Sequence, residues 1–286
     1  MSERFSYNSD DLKRMPRRPE RSNKGTFGSL LVIGGSAGMA GAGYFAAKAA
    51  YRTGCGLVRL LTPEENLAVC QTLIPEATVT VYNSASPDPA TVKNAVARAS
   101  AVVIGVGLGC TEQSKAVLRA ALEACTVPLV IDADGLNLIS SDKSLFELVP
   151  PNAIFTPHPA EMSRLTGLPV ASVLEDIPSM CEDFAKAHRT ICVLKDHETA
   201  VSDGSRTMLN RSGNSGMATG GSGDVLAGMI GSITAQGAPP FDAAALGVFI
   251  HGLAGDAAAE ELSEYSVTAS DIIDFIPRIM KKISRT

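Results

Sequence analysis

Apolar residues along the chain fall into short continuous runs separated by longer stretches with helical spacing. Runs rich in Val, Ile and Leu at 29–33, 57–61, 101–105, 128–132 and 190–195 read as buried strands, and 77–82 and 153–156 as further ones. Between them, 42–52, 63–73, 89–99, 112–124, 159–165 and 174–188 read as helices. Continuous rather than alternating strands imply burial on both faces. The βα rhythm therefore predicts an α/β fold, a mostly parallel central sheet with helices on both faces. Residues 198–202 and 207–210 are expected to pair as a hairpin around Asp203, Gly204 and Ser205. Helices come next at 224–235, stopped by Gly237, at 243–262, and at 268–282, where Thr268 and Asp271 have the spacing of a capping box. Residues 1–24 read as a polar lead-in with room for one short helix. Residues 25–286 read as one large domain, since no linker, charge run or repeat interrupts the pattern.

Composition removes several function classes. The 286 residues are 45% hydrophobic and 19% charged, the balance of a globular chain rather than a disordered one. Lys and Arg number 25 against 30 Asp and Glu, and Trp is absent, so nucleic acid is not an expected partner. Apolar runs break well before the roughly 20 residues of a bilayer crossing, and the first residues lack the apolar stretch of a secretory signal. Six cysteines (Cys55, Cys70, Cys110, Cys125, Cys181, Cys192) occur without a C-x-x-C pair, the pattern of buried free thiols in a reducing, cytoplasmic setting. The four histidines show no metal-ligand spacing, so no metal site built from protein ligands is expected.

The 26 glycines matter more, because they gather where strands end, and open parallel sheets bind ligands there. Residues 213–224 read Gly-Asn-Ser-Gly-Met-Ala-Thr-Gly-Gly-Ser-Gly-Asp and run straight into a helix. Gly220, Gly221, Ser222 and Gly223 would present backbone N–H groups and the positive end of that helix as an anion hole for a phosphoryl group. Asp224, at its mouth, is placed to take a proton from a substrate hydroxyl. The plainer reading is that Ser222 or Asp224 only caps the helix. A second glycine block, 34–43, comes after a strand but has neither Walker A nor Rossmann spacing; Gly38, Gly41 and Gly43 suit a ligand or a neighbouring helix equally. A third, 105–109, sits at another strand end. Asp132 and Asp134 could hold Mg²⁺ through water or simply cap the next element. His158, between two prolines, is poor core filler, and Glu161 reads as a first-turn acid. Lys195 could reach a phosphate or lie along the surface.

Together these blocks resemble a known family. Residues 24–36 (Lys-Gly-Thr-Phe-Gly-Ser-Leu-Leu-Val-Ile-Gly-Gly-Ser), the segment from Gly41 to Val58, Gly105 to Gly109, Thr156 to Met162 and Gly213 to Leu226 look like the ADP/ATP-dependent NAD(P)H-hydrate dehydratases of the ribokinase-like superfamily. The resemblance spans nearly all of the chain from Lys24. It implies a three-layer ribokinase-like fold and a repair lyase. Such an enzyme phosphorylates the ring hydroxyl of the S epimer of hydrated NADH or NADPH, using ADP or ATP, and then eliminates phosphate. It also implies Asp224 as catalytic and substrate-contacting aspartate, and Ala42, Gly107 and His158 as contacts to the hydrated dinucleotide. Lys195, Asp196, His197, Glu198, Thr199 and Gly223 become contacts to the adenine nucleotide, with Mg²⁺ screening the phosphates.

The chain departs from the family pattern at Asp196 and Ala160, where glycine is usual, and at Ser215, where proline is usual. The epimerase domain fused ahead of some relatives is not seen, so a separate epimerase for the R form is an expected functional partner. A homotetramer is expected on family precedent. The alternative reading is an alcohol kinase of the same superfamily, acting on a hydroxymethylpyrimidine or thiazole. It would share Asp224 and the anion hole, whereas the Lys24 segment and the His158 block favour the dehydratase.

Overall fold

A computed structural model describes residues 3–283. Among the described residues one mixed sheet holds ten strands, β1 (Glu3–Phe5), β2 (Ser29–Ile33), β3 (Leu57–Pro63), β4 (Thr78–Tyr82), β5 (Ala101–Ile104), β6 (Leu129–Ile131), β7 (Ile154–Phe155), β8 (Ile191–Leu194), β9 (Thr199–Ser202) and β10 (Arg206–Asn210). Their order is β1-β10-β9-β8-β7-β6-β5-β2-β3-β4, and only β9 runs against its neighbours. The expected hairpin is β9–β10, with Val201 opposite Met208.

Strands buried on both faces need cover on both. Leu31, Ile33, Val102, Ile104, Leu129 and Ile131 point into one apolar layer. It is covered by α3 (Pro89–Val96), α4 (Glu112–Ala124), α5 (Asp134–Ser141), α6 (Pro159–Thr166), α7 (Val170–Glu175) and α8 (Ile177–His188). Leu30, Val32, Val103, Val130 and Val193 point the other way. There they meet α1 (Ala40–Arg52), α2 (Leu67–Leu73), α9 (Ser222–Ala235) and α10 (Pro240–Leu262). This period-two division of each strand between two layers is what a doubly covered sheet requires. α11 (Ala269–Ile283) packs outside α9 and α10, and Thr268 with Asp271 forms the expected reciprocal cap. No described helix is long and apolar enough to cross a membrane.

Three local outcomes differ from the sequence pattern. The helix expected over 174–188 is two: α7 stops, and Asp176 caps α8 by accepting from the Ser179 N–H at 3.0 Å, with Pro178 in the first turn. The polar stretch ahead of β2 is integrated with the sheet. β1 adds to the β10 edge, Leu12 and Met15 are buried, and the Arg18 guanidinium lies 3.5 Å over Phe27 while donating to the Gly54 carbonyl at 2.7 Å. Of the cysteines, all free, Cys110 is exposed rather than buried, because it sits in the loop after β5 and not on an element.

Candidate active site

Strand order reverses between β2 and β5: the chain proceeds from β2 outward to β3 and β4, then returns to β5 on the other side. The loops leaving these two strands meet at the carboxyl end of the sheet, the switch point at which open α/β sheets form their ligand crevice. They are joined at their base, where the Gly35 N–H donates to the Val106 carbonyl (2.9 Å) and the Ser36 N–H to that of Gly107 (2.6 Å). Gly107 has φ +57°, and a Cβ there would lie 2.7 Å from the Ala42 Cβ, so the predicted Ala42 and Gly107 form one wall.

The Gly213–Asp224 block reaches the same crevice because α1 and α9 cross closely. A Cβ on Gly228 would stand 2.1 Å from the Ala46 carbonyl oxygen, so only glycine permits this approach. The crossing brings Phe45 of α1 against Gly221, which has φ +92° and whose added Cβ would be 2.6 Å from the ring. Gly221 starts α9, and Ser222 and Gly223 form its first turn. The N–H groups of Gly223 and Asp224 find no acceptor among the described residues and remain for a ligand, as helix geometry dictates. α9 has no side-chain N-cap bond, so neither Ser222 nor Asp224 caps it, and the Ser222 N–H turns back to the Thr219 carbonyl at 3.3 Å.

Asp224 is partly buried behind this turn. Burial first, then repulsion from Asp132 and Asp134, pushes its carboxyl up to about 7 although Lys195 pulls the other way. The carboxylate is thus poised near neutrality, the range a general base needs. Lys195 leaves β8 and turns inward. Its ammonium donates to Asp132 Oδ1 at 2.9 Å and would lie 3.5 Å from a Cβ on Gly223. Burial lowers the pKa of the Lys195 ammonium, but Asp132, Glu161 and Asp224 outweigh it and hold the group charged above its ordinary value. Asp132 is itself buried and also accepts from Thr156 Oγ1 at 2.7 Å. Between Asp132 and Asp134, Ala133 has φ +50°, a rare conformation for a residue with a Cβ. The turn sends Asp132 inward while Asp134 Oδ2 accepts from the Gly109 N–H at 2.8 Å.

His158 caps α6. Its Nδ1 accepts from the Ala160 N–H at 3.1 Å, which leaves the proton on Nε2, 3.5 Å from Glu161 Oε1. Glu161 Oε2 accepts in turn from the His158 N–H, completing a capping box. Burial, then Lys195 and Arg164, lowers the His158 pKa, so the ring is a neutral donor at Nε2. Burial raises the Glu161 carboxyl against the pull of Lys195. Asp196, His197 and Glu198 form the β8–β9 turn at the rim, and Thr199 opens β9. His197 is exposed beside Asp196 (3.3 Å), and Glu198 pairs with Arg211 at 3.1 Å.

Two supporting residues escaped the sequence reading. His251 on α10 is buried, its Nε2 3.4 Å from Ser222 Oγ, and burial pushes its pKa down to about 4, so it is neutral. Asp256, five residues on, accepts from the Gly213 N–H and from Asn214 Nδ2, both at 3.0 Å. Between them Gly252 and Gly255 let Ser212 and Met217 press against the helix axis; added Cβ atoms would come within 2.2 Å of each. Polar and glycine positions at 251, 252, 255 and 256 interrupting an otherwise Ala-rich apolar helix were the available signal.

Among the described residues no cluster of three His, Cys, Asp or Glu side chains could hold a metal ion. Asp132 Oδ1, one of the two acids considered for Mg²⁺, is already taken by Lys195 and Thr156. These residues do not fit a resident metal.

Comparison with known proteins identifies the family and the fold. The family model of NAD(P)H-hydrate dehydratase matches residues 30–278. The ADP-dependent (S)-NAD(P)H-hydrate dehydratase of Neisseria meningitidis is 41% identical over 247 residues, 85% of this chain and 81% of that protein. Bifunctional NAD(P)H-hydrate repair enzymes of Moorella thermoacetica and Coxiella burnetii also match, but the chain spans only about half of their length (52% and 51%). Among solved structures, a ribokinase-like superfamily protein of Enterococcus faecalis superposes with a TM-score of 0.87 at 31% identity, covering 98% of this chain and 96% of that one. The ADP/ATP-dependent NAD(P)H-hydrate dehydratase of Bacillus subtilis, co-crystallised with ATP and Mg²⁺, superposes with a TM-score of 0.85 at 28% identity, covering 97% and 98%.

Proposed function

The chain belongs to the NAD(P)H-hydrate dehydratase family, and from that membership we propose that it dehydrates the S epimer of hydrated NADH and NADPH, with ADP or ATP as phosphoryl donor. The observation that carries the reading is the Asp224 carboxyl, raised to about 7, standing at a helix start with free N–H groups beside the Lys195 ammonium. Asp224 accepts the proton of the ring hydroxyl as its oxygen bonds to the terminal phosphorus of the nucleotide, and the bridging P–O bond breaks toward the nucleotide. The Gly220–Gly223 backbone, with Lys195 opposite, offsets the charge on the transferring group. Phosphate then leaves the ring carbon with the C–O bonding pair, and loss of a proton from the adjacent carbon restores the double bond. Net, the elements of water leave the ring, the oxygen carried away on the phosphate.

Ala42, Gly107 and the His158 Nε2–H form the side of the crevice assigned to the hydrated dinucleotide. Lys195 and the rim residues Asp196, His197, Glu198 and Thr199, with Gly223, form the side assigned to the adenine nucleotide. Among the described residues no set of protein ligands fits a resident metal, so Mg²⁺ is assigned as part of the nucleotide substrate. An epimerase acting on the R form is the functional partner, in keeping with the bifunctional relatives, and the cytoplasm is the assigned compartment.

The test is direct. Incubation of the protein with (S)-hydrated NADH, Mg²⁺ and ADP or ATP should restore the reduced-nicotinamide absorbance, and omission of nucleotide should abolish the recovery. No recovery with either nucleotide at stoichiometric protein would refute the proposal.

A further inference from the structure

A second cavity lies on the opposite side of the molecule from Asp224. The catalytic crevice opens where the parallel strands end, whereas this cavity of about 520 Å³ opens over the first residues of β3 and β4, beneath the C-terminal turn of α3. Six polar residues line it: Arg59, Thr78, Thr80, Thr91, Asn94 and Arg98. Register places Arg59 directly beside Thr78 on the neighbouring strand, so both side chains rise from the same face of the sheet. α3 and the residues after it supply the other wall.

The charge in this cavity is uncompensated. Among the described residues neither Arg59 nor Arg98 has a carboxylate within salt-bridge distance, although the chain as a whole carries a net charge of −5. Arg59 is half-buried. Its Nη2 donates to Ser29 Oγ at 2.9 Å and to the Arg98 carbonyl, which fixes the guanidinium and leaves its Nε and Nη1 hydrogens unused. Burial, and then the Arg98 charge, lower the Arg59 pKa. The N-cap acid of α3, Asp88, is committed to the helix start, where it accepts from the N–H groups of Ala90 and Thr91 and from Thr91 Oγ1. Two arginines lining one cavity without a salt-bridged carboxylate, alongside hydroxyls and an amide, are chemistry for a doubly charged oxyanion. The volume exceeds what a bare phosphate needs and lies in the range of small-molecule pockets.

We infer that the cavity between β3, β4 and α3 is a binding site for a phosphate-bearing small molecule, separate from the catalytic crevice, with the phosphate held between Arg59 and Arg98 and the remainder against Thr78, Thr80, Thr91 and Asn94. Phosphate chemistry has two sources here, a free inorganic anion or a phosphorylated organic molecule, and the experiment separates them. Isothermal titration calorimetry is run with inorganic phosphate, pyrophosphate and AMP on the wild-type protein and on Arg98→Gln. Arg98 is exposed and makes no described side-chain contact, so this variant should fold, which thermal unfolding checks; Arg59→Gln serves as the second variant. Binding of at least one probe should weaken by about tenfold or more in Arg98→Gln. Its KM for nucleotide and its kcat in the dehydration assay should stay at wild-type values. Tighter binding of phosphate or pyrophosphate than of AMP would assign the site to a free anion, and the reverse to a phosphorylated organic molecule. Absence of binding by all three probes, or equal affinity in wild type and Arg98→Gln, would overturn the proposal.

Discussion

Replacing Gly223 with alanine separates a ligand-facing glycine from a structural one. Its φ is not in the left-handed region, and an added Cβ would lie 3.5 Å from Lys195 Nζ and 3.7 Å from Asp132 Oδ2, both ordinary contact distances. The fold therefore has room for the methyl group, and helix propensity favours alanine over glycine by up to about 1 kcal/mol. The melting temperature of Gly223→Ala should be unchanged or slightly higher. The methyl, however, projects into the gap between the α9 start and the Lys195 ammonium, the space assigned to the transferring phosphoryl group. Loss of close approach to one backbone donor costs about 100-fold or more in kcat. The variant should thus show intact thermal unfolding and a dehydration rate lower by about two orders of magnitude. Gly221→Ala is the contrasting control: at φ +92°, with its Cβ 2.6 Å from the Phe45 ring, it should lose more than about 1 kcal/mol of stability. Wild-type kcat and KM in Gly223→Ala would refute the assignment of the anion hole.

Other outcomes rest on the same geometry. Asp224 must be ionised to accept a proton, so kcat/KM should rise with pH through about 7, and an acid limb near pH 4 would show that Asp224 is not the base. The linked effect on stability has the opposite direction. A carboxyl raised from 3.8 to about 7 contributes stability fully below about pH 4 and loses it as pH rises through about 7, so Asp224→Asn should flatten that decline in a pH series of denaturant melts. The same variant should lose turnover while nucleotide affinity, measured by calorimetry, stays within a fewfold. Lys195→Met strands the buried Asp132 without its cation and should cost about 3 kcal/mol or more in denaturant unfolding; in whatever protein remains folded, the acid limb should move upward. Asp256→Ala releases the Gly213 N–H and Asn214 and should lower kcat more than it raises KM, with partial rescue in Asp256→Asn, which keeps an acceptor.

The parallel core was legible because its strands are continuous Val/Ile/Leu runs, and such runs have few other fates. The helix caps at Thr268 and the stop at Gly237 were legible for the same local reason. β1 was not, since three residues at a sheet edge carry no hydrophobic periodicity and pair only because β10 offers an open partner. The break between α7 and α8 hung on Asp176 bonding the Ser179 N–H, a choice that periodicity does not record. In the site, the glycine blocks and Asp224 could be found from spacing alone. The Lys195–Asp132–Thr156 arrangement could not, because it joins the ends of three strands that are adjacent in space but 24 to 63 residues apart in sequence. His251 and Asp256 were hidden by a helix that otherwise reads as core.

Phosphorus NMR of the reaction with (S)-hydrated NADH and Mg-nucleotide follows the transferred phosphoryl group itself. Each reduced nicotinamide regenerated should be matched by one nucleotide dephosphorylated and one inorganic phosphate released, with no reaction in Asp224→Asn. Consumption of nucleotide with accumulation of a stable phosphorylated alcohol, and no regenerated NADH, would contradict this and assign the chain to alcohol kinase chemistry.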